Sequence, residues 1–106
     1  MDEEKTRRYL MNQLDKLKAQ RKEIYRIARK HRARKLYVFG SCARREETPE
    51  SDVDFLAEFD KPSLFEHAGL EYDLAEYLNC PVDVVSTRAL KNNSFEHEIR
   101  KDMVLL

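Results

Sequence analysis

The stretch Asp52-Val53-Asp54-Phe55-Leu56-Ala57-Glu58-Phe59 constrains this chain more than any other part of it. Side chains alternate across a strand, so Val53, Phe55, Ala57 and Phe59 share one face, and Asp52, Asp54, Leu56 and Glu58 share the other. The first face has to be buried. The second carries two carboxylates pointing the same way, their Cα atoms about 6.6 Å apart at strand rise. Such a pair repels unless it is protonated or bridged by a cation. The chain must therefore build a sheet with a core on one side and a use for acid on the other.

The neighbouring segments supply the rest of the sheet. Lys35-Leu36-Tyr37-Val38-Phe39, rich in β formers and ended by Gly40-Ser41, reads as a short buried strand. Residues 42–51 are polar, contain Pro49 and read as a loop. After the Asp60-Lys61-Pro62 turn, Ser63 and Glu66 have the spacing of a capping box, and Leu70, Leu74, Tyr77 and Leu78 continue a helix. Asn79 suits the left-handed position at its end, and Pro81 forbids continuation. Val82-Asp83-Val84-Val85 is a third strand, and Ser86 or Thr87 opens a helical turn. A last helix begins near Asn93, with Phe95, Ile99 and Met103 inward. In front of all this, roughly Asp2 to Arg32 contains no Gly or Pro. Its Leu10, Leu14, Leu17, Ile24, Ile27 and Ala28 recur at helical spacing, which predicts one long amphipathic helix. The expected fold is α/β (α+β), a small mixed sheet flanked by helices, in one domain spanning residues 1–106.

Composition narrows the function classes. Apolar residues make up 42% of the 106, enough for a core, so wholesale disorder is excluded. No apolar run approaches the roughly 18 residues of a membrane span, and the start of the chain has no apolar signal region. The expected compartment is the cytoplasm. Cys42 and Cys80 are too few for a disulfide scaffold, and His31, His67 and His97 lack zinc-ligand spacing. The zero net charge hides a division: residues 1–45 carry 15 Lys/Arg against 5 Asp/Glu, and residues 46–106 carry 5 against 15. A basic surface beside an acidic one points to a phosphate-bearing ligand, although cations in the last turns of a helix also complement its dipole.

The candidate chemistry lies in Gly40-Ser41 and Asp52-x-Asp54, with Asp83 as a third acid. Hard carboxylate oxygens favour Mg²⁺ or Mn²⁺, which serve phosphoryl chemistry. Asp83 is flanked by Val82 and Val84; if its strand pairs with that of Asp54, three acids converge. A turn at Gly40-Ser41 can aim backbone N–H groups and a hydroxyl at phosphate, and Arg44 and Arg45 follow with positive charge. Ser41 lacks the Gly-x-Ser-x-Gly context of a nucleophile, and the loop lacks the Gly-Lys of a P-loop.

Gly40-Ser41, ten residues, then Asp52-x-Asp54 and a later Val-Asp-Val-Val resemble the signature of the polymerase-beta-like nucleotidyltransferases. The short chain is similar to the minimal nucleotidyltransferases, the MntA-type antitoxins found beside HEPN-domain toxins. The resemblance implies that Gly40, Ser41 and Arg44 bind the nucleotide, and that Asp52, Asp54 and Asp83 hold one or two Mg²⁺ ions and carry catalysis. It also implies that Asp83 assists deprotonation of the acceptor. ATP would be the substrate, and the acceptor a tyrosine of a HEPN-domain toxin, bound as a hetero-oligomer. The sequence departs from the family pattern at Arg45, where Gly is usual. If that Gly serves a positive φ, Arg45 reshapes the loop; if not, Arg45 adds a phosphate contact. With roughly 50 residues in the nucleotide half, no second domain is expected to enclose a small acceptor. Two other readings compete: a binding module that neutralises a partner by contact alone, and a nucleic-acid binder using Arg21 to Lys35. The second lacks a helix-turn-helix companion and has few interleaved aromatics.

Overall fold

The structure, a computed structural model, describes residues 13–44, 52–61, 63–91 and 94–106. Two helices open it, α1 (Gln13–Ala19) and α2 (Arg21–Lys30), where the periodicity predicts a single helix over 2–32. Residues 2–12 of that prediction lie outside the described residues. The break has a local cause at Gln20. Its side-chain amide donates to the Lys16 carbonyl at 3.2 Å, and its backbone N–H reaches both Lys16 and Leu17. A side chain competing for the i−4 carbonyl loosens the helical ladder. The helix then ends at Lys30 rather than Arg32. The His31 and Arg32 N–H groups bond back to the Ala28 and Arg29 carbonyls, and Arg32 takes a left-handed φ of 63°.

The sheet has four strands: β1 (Ala33–Phe39), β2 (Val53–Phe59), β3 (Val82–Ser86) and β4 (Val104–Leu105), in the order β3-β2-β1-β4. β1 is antiparallel to both β2 and β4. β2 and β3 are parallel, and a parallel pair needs a crossover, which α3 (Leu64–Leu78) provides. Ser63 caps α3 by accepting the Glu66 N–H, and Asn79 ends it at φ 54°, ψ 45°, as expected. The 3₁₀ turn Thr87–Ala89 follows β3, with Ser86 accepting the Arg88 N–H.

The predicted alternation of β2 holds. Val53, Phe55, Ala57 and Phe59 are buried in one core with Leu14, Leu17, Ile24, Ala28, Leu36, Val38, Leu70, Leu74 and Val84. α1, α2 and α3 thus cover one face of the sheet. Asp54 and Glu58 face the other side, where Leu56 is buried near α4 (Ser94–Asp102). The expected inward stripe of α4 is only partly right. Ile99 is buried, but Phe95 is 49% exposed, because α4 reaches buried surface only toward its C-terminal end, where the chain turns into β4. Met103 lies past the helix end and is half-buried.

The outer edge of β3 is closed by α3. The Val84 N–H donates to Glu71 Oε2 at 2.9 Å, and the Val84 carbonyl accepts from His67 Nε2. Both free polar groups of that edge residue are satisfied, which blocks pairing with another strand and fixes β3 against β2. Among the described residues, no helix is long and apolar enough to cross a membrane.

Candidate active site

The candidate residues converge at one end of the sheet. β1 ends at Phe39, opposite Asp54, and the chain turns at once through Gly40. In the parallel β2–β3 pair, Asp54 stands in register with Asp83. Residues in register across two strands point to the same face, so these acids from distant segments become neighbours. Asp52 precedes β2 and is exposed; Asp83 is exposed; Asp54 is half-buried between them.

The electrostatics records this crowding. The Asp54 carboxyl is pushed above its ordinary pKa, first by burial, then by the charges of Asp83 and Asp52; Arg44 acts in the opposite direction. One carboxylate thus senses every other described charged candidate. Arg45 lies outside the described residues.

Gly40 is required on two counts. Its φ is +75°, and a Cβ there would fall 2.4 Å from Asp54 Oδ2. A side chain at residue 40 would collide with the acid it faces, so glycine is what lets the turn backbone approach Asp54. The turn is closed by the Arg44 N–H donating to the Gly40 carbonyl at 3.1 Å. Ser41 is half-buried within it. Cys42, buried, directs its thiol at the Asp52 carbonyl, 3.7 Å away, joining the turn to the start of β2. Both cysteines are free, as expected.

Among the described residues, no three or more histidine, cysteine, aspartate or glutamate side chains are placed to hold a metal ion by themselves. Mg²⁺ is usually held by one or two carboxylates together with substrate phosphates and water rather than by an all-protein cage. The donor set here, hard oxygens whose mutual repulsion is visible at Asp54, fits that use. Among the described residues, a cleft of about 890 Å³ lies between Phe59, His67, Ser86 and Arg88, at the opposite ends of β2 and β3.

One contact at the site was not visible in the sequence. Asp102, the last residue of α4, accepts from Arg44 Nη1 at 3.2 Å. Glu71 and His67, which fix β3 and therefore Asp83, were likewise missed. A carboxylate and an imidazole spaced i, i+4 on the helix before an edge strand are a signal too common to single them out.

The chain is similar to known proteins. The family model described as polymerase beta, nucleotidyltransferase matches residues 22–106. A Methanocaldococcus jannaschii protein described as a protein adenylyltransferase is 34% identical over 79 residues, covering 74% of this chain and 81% of that one. The protein adenylyltransferase MntA of Thermococcus cleftensis is 38% identical over 69 residues, covering 64% and 70%. A minimal nucleotidyltransferase of known structure superposes with a TM-score of 0.75 at 33% identity, covering 91% of this chain and 97% of that chain. The MNT antitoxin solved in complex with the tri-AMPylated HEPN toxin of Shewanella oneidensis shares the fold, with a TM-score of 0.63 at 18% identity over 83% and 69%. On its strand order, its paired acids and these likenesses, the chain belongs to the polymerase beta nucleotidyltransferase family.

Proposed function

We propose that this chain transfers AMP from ATP to a hydroxyl, that of a tyrosine, on a HEPN-domain toxin, and that it acts in the cytoplasm as the antitoxin of such a pair. One observation carries the reading: Asp54 and Asp83 stand in register across parallel strands, directly beside the Gly40 turn. The adenylyltransferase names of the relatives and the HEPN toxin in the solved complex support the acceptor class.

Asp52, Asp54 and Asp83 would hold one or two Mg²⁺ ions, which supply charge neutralisation for the triphosphate and its leaving group. The Gly40-Ser41 turn and Arg44 orient the triphosphate, and residue 40, having no side chain, lets that turn lie against Asp54. The acceptor oxygen then forms its bond to the α-phosphorus as the bond to the β-phosphate oxygen breaks. Pyrophosphate leaves, and the hydroxyl proton passes to Asp83, which is exposed and stands in register with Asp54.

The test is incubation with a HEPN-domain partner, Mg²⁺ and α-labelled ATP. The partner should gain the label and the mass of an AMP group. The double variant D52N/D54N should lose transfer with its circular dichroism unchanged. Neutralisation of the partner with no adduct would instead establish the contact-only module.

A further inference from the structure

We infer that Asp102 is a positioning residue for the nucleotide: it holds Arg44 in the place from which Arg44 meets the triphosphate. The inference rests on the proposed function above.

Asp102 closes α4, whose last turn otherwise carries Arg100 and Lys101. The C-terminal end of a helix favours cations and disfavours an acid. An aspartate there is set against the local field, and its carboxylate turns to Arg44, 58 positions earlier in the chain. The bond is 3.2 Å long, and the Asp102 side chain is only 21% exposed.

The backbone around Asp102 is fixed. The Met103 N–H donates to the Ile99 carbonyl, Val104 pairs with Val38, and the Leu106 N–H donates to the Leu36 carbonyl. β4 therefore ties the end of α4 to the strand that leads into Gly40. On the other side, the Arg44 N–H is held by the Gly40 carbonyl. The charge of Arg44 reaches Asp54, which places the guanidinium within the field of the acidic cluster. A guanidinium has five N–H donors in a rigid fork, so a carboxylate can hold one edge of it while phosphate oxygens meet another. A long side chain on an exposed turn would otherwise have to be ordered by the nucleotide itself, at the expense of affinity.

The experiment measures KM for ATP, kcat for AMP transfer and the melting temperature for wild type, D102N, D102E, R44A and the double variant R44A/D102N. D102N should raise KM for ATP by about five- to tenfold, the size of a single charge-assisted contact, with kcat nearly unchanged. D102E should recover most of the loss. In the R44A background, D102N should have no further effect on KM. If D102N fails to fold, as its melt would show, R44A and D102E carry the test, because R44A must raise KM and D102E must keep it low. An unchanged or lowered KM in folded D102N, or an equal rise in the R44A background, overturns the inference while leaving the proposed function intact. A wild-type protein that neither binds ATP nor transfers AMP overturns the proposed function, and this inference with it.

Discussion

At the scale of single residues, Asp54 is the costly group. It is held where burial and two like charges oppose its ionisation, and, among the described residues, Arg44 acts against them. Its folded pKa is raised, so its contribution to stability is fully present below 3.8 and is lost as the pH rises through the folded value. At neutral pH the site is therefore strained by its own charge. Asp54→Asn should raise the stability of the metal-free protein by about half a kcal/mol, a modest gain because solvent screens a half-buried group. The same change should abolish AMP transfer. Thermal melts with and without magnesium check both parts: the ion should raise the melting temperature of wild type and not that of the variant. The acids were legible because strand alternation is a strict rule, and two acids at i and i+2 have only one geometric meaning. Gly40 was legible as a turn, and the structure adds the oxygen it makes room for. The other glycine was not: Gly69 leaves space for the His31 ring, since a Cβ there would lie 2.7 Å from Cε1. No local pattern announces a contact between residues so far apart.

At the scale of elements, the joints between helices carry the energetics. His31, at the end of α2, is buried against α3, and its Nε2 meets Asp73 Oδ2 at 2.6 Å, with Lys30 at 3.6 Å from the same oxygen. The hydrogen bond from His31 is the main cause holding the Asp73 carboxyl below its ordinary 3.8, with the Lys30 charge adding to it. For a lowered acid, the stabilisation is present above 3.8 and is lost as the pH falls through the folded value. Asp73→Asn should therefore be less stable than wild type at neutral pH, and the two melting curves should converge in acid. A difference that does not shrink as the pH falls below 3.8 would disprove the role of this charge. At the far end of α3, Asn79→Ala should cost about 1 kcal/mol, because alanine tolerates the left-handed conformation poorly, whereas Asn79→Gly should cost nothing. This cap was legible because Asn before Cys-Pro is a local stop. The break at Gln20 was not, since the residue is an ordinary helix former and only its side-chain hydrogen bond gives it away. Nor was β4, whose two residues form a strand only because β1 presents a free edge.

At the scale of the whole molecule, one core serves three helices and the inner face of the sheet. Phe55 lies at its centre, fully buried and adjacent in sequence to Asp54. Phe55→Ala should cost about 3–5 kcal/mol, a large part of the stability of a domain this size. Chemical denaturation should show a midpoint shifted far toward water, and AMP transfer should fall with the folded fraction. The mixed sheet, the order of its elements and the convergence of the acids could be read from the chain because each rests on a periodicity. The tie between Arg44 and Asp102 could not, because it depends on where α4 comes to rest on the side of the sheet away from the core.

The parallel pairing of β2 with β3 sets a condition on how activity appears. No hairpin can bring the two acids together; the chain must first lay down all of α3 and return. A slip of one residue in that return would turn Asp83 inward and Val84 outward, so a misaligned strand costs both the acid pair and the core. The neighbouring of Asp54 and Asp83 therefore depends on an intact crossover, and a chain without α3 cannot place them side by side.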